Sequence, residues 1–161
     1  GYNYVPTEEL LDKEEEEKAA MESVEDNACL ELQDEELDDK KETLQSLRSE
    51  RRQKIVRERL DEWCAAKGYR DTSLNMITLS RSLDINRYEL SRYLSSCLNT
   101  TFRIWLAEVR FEAAKKMMLD NPDFGNDIIS AECGFSSRTH LYRMFKEKEG
   151  CSPTAWREKN C

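Results

Sequence analysis

A short helix, a tight turn and a longer helix occur twice in the C-terminal half of the chain, and this repeat limits the possible folds more than any other feature. Aligning the copies pairs Leu79-Ser80 with Ile129-Ser130, Asp84 with Gly134, Ile85-Asn86 with Phe135-Ser136, and Leu90, Arg92 and Leu94 with Leu141, Arg143 and Phe145. A helix-turn-helix needs a small residue before the turn, a turn residue that tolerates unusual dihedral angles, and an apolar residue that locks the turn onto a core. Each copy has all three, so the sequence predicts two helix-turn-helix units.

Apolar residues recur at three- and four-residue steps through much of the remaining sequence, and no alternating strand pattern is present. A helix that starts near Lys41 has Val56, Leu60 and Trp63 on one face and is expected to end at Gly68. The sequence therefore predicts an all-α protein. The other predicted helices run from Thr78 to Leu83, from the N-cap Asn86 onward, from Thr101 to Leu119 before Asn121-Pro122, from Asn126 to Cys133, and from the expected cap Ser136 to about Glu149.

Charge is divided unevenly along the chain. Residues 1–47 carry 4 Lys and 17 acidic residues, a net charge of -13, whereas residues 48–59 have a net charge of +4 and residues 60–161 of +1. So acidic a stretch cannot bury enough apolar surface to offset its chain entropy. We therefore expect 1–47 to be an acidic linker, disordered or partly helical, ahead of a folded domain over 48–161.

Two alternatives for the acidic stretch stay open, a dimerising coiled coil and a specific interaction tail. Leu37, Leu44 and Leu47 have heptad-compatible spacing, but Arg51 occupies the next position of the series. The basic cluster that follows is predicted to lie outside the apolar stripe of its helix, as a solvated face or as a contact to phosphate. Its members are Arg48, Arg51, Arg52, Lys54, Arg57 and Arg59.

The sequence argues against metal chemistry and catalysis. Its six cysteines form no CxxC pair, and its one histidine, His140, leaves no ligand set for zinc. With no glycine-rich phosphate loop and no HExxH spacing, we expect neither an enzyme nor a cofactor. Reduced thiols favour a cytoplasmic location, and no apolar run is long enough to span a membrane. Since the chain begins at Gly1 and not at Met, we expect a longer parent protein, in which a sensor or a membrane segment lies upstream.

The second repeat and the residues after it resemble the C-terminal signature of the AraC/XylS family of bacterial transcription regulators. The resemblance extends over roughly residues 55–159, and Ser80, Asp84 and Trp156 are among its departures from the usual family residues. It is carried by Ile129-Ser130-Ala131-Glu132-Cys133-Gly134-Phe135-Ser136, Leu141, Arg143, Phe145-Lys146, Gly150, Ser152-Pro153 and Trp156-Arg157, and upstream by Leu90-Ser91-Arg92, Trp105-Leu106, Arg110 and Ala114.

This resemblance implies a homeodomain-like arrangement of two helix-turn-helix subdomains, over about 76–98 and 126–149, joined by a connecting helix over about 101–119. The longer helix of each subdomain is then expected to enter a major groove of double-stranded DNA. Arg92 and Arg143 lie opposite the apolar stripes and are the strongest candidates for contacts to guanine or phosphate. The complete set of expected DNA-binding residues is Asn86, Arg87, Tyr88, Ser91, Arg92, Ser136, Arg138, Thr139, His140, Tyr142 and Arg143.

The resemblance further implies transcriptional control, often activation, with RNA polymerase as a partner. A dimer is expected to form through residues 1–60 or through a missing N-terminal domain. An alternative from another class is an acidic helical adaptor that binds proteins and no DNA, which the net charge of +1 favours slightly. The DNA hypothesis requires Arg92 and Arg143 to share one face, whereas the adaptor hypothesis places them on different faces.

Overall fold

A computed structural model describes residues 34–161, and these residues contain helices and no strand. The predicted all-α class is therefore confirmed. The elements in chain order are α1 (Asp34–Ala65), a 3-10 helix (Gly68–Arg70), α2 (Met76–Leu83), α3 (Arg87–Ser96), α4 (Phe102–Asp120), α5 (Asn126–Glu132), α6 (Arg138–Glu149) and α7 (Pro153–Asn160).

Val56–Cys161 forms one compact unit, and the described residues from Asp34 to Ile55 belong to another. The expectations about residues 1–33 lie outside the described part of the chain. In the acidic stretch, the described residues from Asp34 onward belong to α1. No helix between residues 34 and 161 is long and apolar enough to cross a membrane.

Helix α4 carries two separate hydrophobic cores. Its first turns place Phe102 and Trp105 against a core built from α1, α2 and α3, in which Val56, Leu79 and Leu90 are buried. Its later turns contribute buried residues to a second core. This core also contains residues of α5 and α6, and Trp156 of α7 lies at its border. That core comprises Phe111, Ala114, Met118, Ile129, Cys133, Phe135, Leu141, Met144 and Phe145. Two helix-turn-helix subdomains on one connecting helix are therefore confirmed.

The two turns have the same backbone hydrogen bonds. In the first turn, the Ile85 amide donates to the Ser80 carbonyl at 3.0 Å, and Asp84 has a φ of 52°. In the second, the Phe135 amide donates to the Ser130 carbonyl at 2.9 Å, and Gly134 has a φ of 83°. This six-residue closure after a left-handed residue is a Schellman motif, which satisfies the last carbonyl groups of a helix. Asp84 takes the left-handed conformation that glycine prefers, so its presence does not open the first turn.

Three helix boundaries differ by two residues or more from the sequence prediction, and the first is the start of α1, which lies at Asp34 and not near Lys41. Helix α1 ends at Ala65, and the left-handed residue after it is Lys67, with a φ of 60°. Gly68 has another role, because a Cβ there would overlap the indole of Trp63. Helix α2 begins at Met76 and not at Thr78, since Asn75 and Thr78 form a capping box with two reciprocal bonds of 3.0 Å.

Candidate nucleic-acid interface

Helix α3 buries one side and exposes the residues expected to contact DNA. Asn86 is its N-cap, and the side-chain oxygen of Asn86 accepts from the Tyr88 amide at 2.8 Å. Leu90, Tyr93 and Leu94 are buried, whereas Arg87, Tyr88, Ser91 and Arg92 are exposed. The outward side of α3 therefore presents two guanidinium groups, a phenol and a hydroxyl group to solvent.

Arg87 and Tyr88 form a pair at the first turn of α3. The Arg87 guanidinium donates to the Tyr88 hydroxyl at 3.1 Å and lies 5.0 Å from the centre of its ring. Tyr88 is 65% exposed, the highest value among the large apolar and aromatic side chains of the described residues. The first turn of α3 therefore presents an exposed aromatic ring and a cation side by side.

The cap of α6 corrects one expectation. Its N-cap is Ser137, whose hydroxyl accepts from the His140 amide at 3.2 Å, and not Ser136. The second copy of the repeat has one residue more than the first between the turn and the anchoring leucine, so Asn86 is equivalent to Ser137. The extra residue was visible in the sequence, because Phe135 and Leu141 are one position further apart than Ile85 and Leu90.

Helix α6 exposes a second set of cationic and aromatic groups. Arg143 and Thr139 are exposed, and Tyr142 is 46% exposed with the Lys146 ammonium 5.6 Å from its ring centre. Arg138 is exposed as well, and its Nε lies 2.8 Å from an Asp127 carboxylate oxygen. An exposed ion pair of this kind contributes at most about 1 kcal/mol, so Arg138 can exchange its partner for a phosphate at little cost.

Three of the expected residues of the second motif share one open groove. Arg138, Thr139 and Tyr142 line a groove of about 540 Å³ together with the first residues of α7. Sequence analysis did not assign α7 as a helix, although Ser152-Pro153 is a typical helix start. The Ser152 hydroxyl accepts from the Ala155 amide at 3.1 Å, and Pro153 occupies the first helical position.

His140 differs from the other expected residues because it is only half exposed. Its ring packs edge to face on Phe135 at 5.2 Å, and Nδ1 lies 3.5 Å from the Ser136 hydroxyl. Burial lowers the pKa of His140, and the positive charges of Arg110 and Arg143 lower it further. The imidazole is therefore neutral near pH 7, and it acts there as a hydrogen-bonding group and not as a cation.

Three arginines, Arg59, Arg110 and Arg157, donate to backbone carbonyl groups, a role that sequence analysis missed. Arg59 was expected outside the apolar stripe, but it is half buried and its Nη1 donates to the carbonyl groups of Leu83 at 3.0 Å and Asp84 at 2.8 Å. This bond pair holds the first turn against α1. Arg157 of α7 donates to the Pro122 carbonyl at 2.9 Å. For Arg59 the sequence signal was its position three residues after Val56, because residues at that spacing lie on the same face of a helix.

Comparison with known proteins gives one family match. The model of a family described as a helix-turn-helix domain matches residues 79–159, about half of the chain. No curated protein matches the chain. Within residues 34–161, no group of three His, Cys, Asp or Glu side chains is placed to hold a metal ion.

Several solved structures have the same fold. One is the DNA-binding domain of AdpA, a global transcriptional factor, in complex with a target DNA: identity is 23%, the TM-score is 0.55, and the match covers 65% of this chain and 90% of that one. The C-terminal domain of AraT, a response regulator from Geobacillus stearothermophilus, has 23% identity and a TM-score of 0.56, with coverages of 65% and 84%. An AraC-type transcriptional regulator from Chromobacterium violaceum has 20% identity and a TM-score of 0.57, with coverages of 68% and 94%.

Proposed function

The chain belongs to the AraC-type helix-turn-helix family of DNA-binding transcription regulators, and we propose that it binds double-stranded DNA sequence-specifically through α3 and α6. Members of this family are regulators and not enzymes. The finer assignments, namely the residues that contact DNA, the operator and the direction of regulation, are parts of this proposal.

The observation that carries the proposal is the equivalence of the two turns. Each turn closes with the same Schellman hydrogen bond, and each is followed by a helix whose anchoring leucine is fully buried while the arginine two positions later is exposed. At 3.6 residues per turn, two positions correspond to a rotation of about 200°, which directs Arg92 away from Leu90 and Arg143 away from Leu141. A protein that used these motifs as scaffold alone has no need for an exposed arginine at the same position of both.

In the proposed complex, α3 and α6 enter successive major grooves on one side of the duplex, separated by about 34 Å. Arg92 and Arg143 then face base edges, where a guanidinium group can bond to guanine O6 and N7 at once. Asn86, Arg87, Tyr88 and Ser91 are the further contacts of the first helix. For the second, we propose Ser136, Arg138, Thr139, His140, Tyr142 and Arg143. A DNA sequence that bends easily improves the fit if the two helices are not spaced like the grooves of straight DNA.

We further propose that DNA binding regulates transcription from the cytoplasm of a bacterium, by activation and through contact with RNA polymerase. The support is the family membership together with the composition of residues 1–47, whose net charge of -13 suits a linker or interaction segment next to a DNA-binding domain. Dimerisation through residues 1–60 or through an upstream domain belongs to the same proposal.

Selection from random duplexes tests DNA binding directly. The chain is incubated with a pool of random double-stranded DNA at low salt, and bound duplexes are amplified over several rounds. We expect one bipartite sequence to be enriched, with an affinity that falls steeply as salt rises, because each neutralised phosphate releases counterions. Enrichment of no sequence at any salt concentration would contradict the proposal and favour the protein-binding adaptor.

A further inference from the structure

The two subdomains are joined at a second place besides α4. The segment from Gly68 to Asp71 precedes the first helix-turn-helix and lies against the turn of the second. Its backbone is so close to this turn that a Cβ at Gly134 would overlap the Tyr69 carbonyl oxygen and lie 2.7 Å from Nε of Arg110. Gly134 is therefore required by close packing as well as by its positive φ.

The segment is anchored on the first subdomain through aromatic contacts. Tyr69 is buried and packs edge to face on Trp63 of α1, with ring centres 6.4 Å apart. Trp63 in turn stacks on Trp105 of α4 at 5.7 Å. Any displacement of this segment relative to the first core would break these ring contacts.

Arg110 holds the same segment to the middle of α4. Its Nε donates to the Tyr69 carbonyl at 2.9 Å, and its Nη2 donates to the Asp71 carbonyl at 2.7 Å. Hydrogen bonds from a cationic donor are stronger than neutral ones, and partial burial shields the bond to Tyr69 from water. On the other side of the segment, Arg70 forms an ion pair of 2.8 Å with Glu132 at the end of α5.

A second attachment restricts motions that one shared helix leaves free. Helix α4 sets the distance between the subdomains along its axis, but side-chain rearrangement on its surface would let one subdomain rotate relative to the other. The contacts of Arg110 and Gly134 lie off the α4 axis and oppose such a rotation. In DNA one base pair corresponds to a rotation of roughly 35° and a rise of about 3.4 Å, so a small change of orientation alters the half-site spacing that fits.

We propose that Arg110 is a positioning residue that fixes the orientation of α6 relative to α3 and thereby sets the spacing between DNA half-sites that the chain accepts. The inference rests on the proposed DNA binding. Arg110 itself makes no contribution to reading bases. It acts through Tyr69, Asp71 and the turn at Gly134.

The experiment compares the chain, the variant Arg110→Met and the control Lys116→Met on duplexes in which the selected half-sites are moved by one or two base pairs. Lys116 lies on the same helix and pairs with Asp120 at the surface, at 3.5 Å. We expect the chain and the control to lose at least about tenfold in affinity at a wrong spacing, the cost of about one mismatched base pair or more. For Arg110→Met we expect a loss below about threefold.

The ratio of the affinity at the selected spacing to the affinity at a shifted spacing separates a positioning role from simple destabilisation. A variant that is only less stable binds every duplex more weakly by the same factor, and its ratio stays that of the unaltered chain. An unchanged ratio in Arg110→Met would therefore overturn the proposal, whatever its absolute affinity. If this variant does not fold, Arg110→Lys, which keeps the charge but lacks the planar fork that bonds to the Tyr69 and Asp71 carbonyl groups at once, takes its place. It should reduce the ratio at least about twofold, and an unchanged ratio overturns the proposal in the same way.

A DNA-free measurement distinguishes failure of this inference from failure of the proposed function. Spin labels on ketone-bearing amino acids at Ser96 of α3 and Glu147 of α6 avoid the six cysteines of the chain, and both sites are exposed. We expect the distance distribution to broaden in Arg110→Met and to stay narrow in Lys116→Met. An unchanged distribution overturns the positioning role. If no duplex is selected, the DNA proposal fails and this distribution alone decides the role of Arg110.

Discussion

Replacing Ser130 by alanine should stabilise the protein. Ser130 is buried at the end of α5, and its hydroxyl has no hydrogen-bond partner among the described residues. A buried polar group without a partner costs about 1–3 kcal/mol. Alanine adds about 0.5 kcal/mol through its higher helix propensity. We therefore expect Ser130→Ala to raise the free energy of unfolding by about 1.5 kcal/mol or more.

The equivalent residue of the first motif provides a matched control. Ser80 is also buried, but its hydroxyl donates to the Ile77 carbonyl at 2.8 Å. Loss of that bond costs about 1 kcal/mol, and the gain in helix propensity returns only about half of it. Ser80→Ala should thus be neutral or slightly destabilising. The two variants are expected to differ by about 2 kcal/mol, although the substitution is the same.

Urea denaturation followed by circular dichroism measures both differences, and thermal unfolding gives a second estimate. For a domain of this size, 1.5 kcal/mol corresponds to an increase of about 6 °C in Tm. The reasoning is refuted if Ser130→Ala lowers the stability, or if the two alanine variants change it by the same amount.

Three further predictions concern the acidic segment, the histidine and a buried thiol. Deletion of residues 1–40 should leave DNA affinity equal or higher, because the strongly acidic segment repels phosphate; a large loss in a titration would instead indicate a dimer interface there. Since the pKa of His140 is lowered in the folded state, the unfolded chain takes up the proton first, and stability should fall as pH drops below about 6.5. Denaturation between pH 7.5 and 5.5 should show a weaker decrease for His140→Gln, and an identical decrease would exclude the histidine as its source. Burial raises the pKa of Cys133 to about 11, so a thiol reagent at pH 8 should label Cys97 rapidly and Cys133 only after unfolding, as mass spectrometry of the peptides can determine.

Helices α1 to α6 and both turns could be predicted from the sequence because their determinants are local, whereas α7 was missed. Leu90 and Leu94 reveal the buried side of α3 by their spacing, and both are buried. The departure of Asp84 from glycine is harmless for a local reason too, since Asp tolerates the left-handed conformation better than most residues do. Hydrophobic periodicity and turn chemistry were sufficient here.

The roles of the arginines could not be predicted in the same way because they depend on distant partners. Arg59 binds carbonyl groups of Leu83 and Asp84, and Arg110 binds those of Tyr69 and Asp71, which lie far away in the sequence. Backbone carbonyl groups look the same at every position, so no residue type identifies them as acceptors. The spacing of Arg59 from Val56 places it near the buried face of its helix, but the carbonyl groups that it binds are visible only in the folded chain.

Arg92→Ala and Arg143→Ala test the central claim most directly, in a competition assay with selected duplexes changed one base pair at a time at one fixed salt concentration. The account predicts that each variant loses about 1–3 kcal/mol of specific binding and relaxes base preference in a different half-site. Lys159→Ala, at an exposed position of α7, should change affinity little and equally for all duplexes. A uniform loss across every duplex in both arginine variants would make these residues phosphate contacts, and no loss in either would contradict DNA recognition by the two motifs.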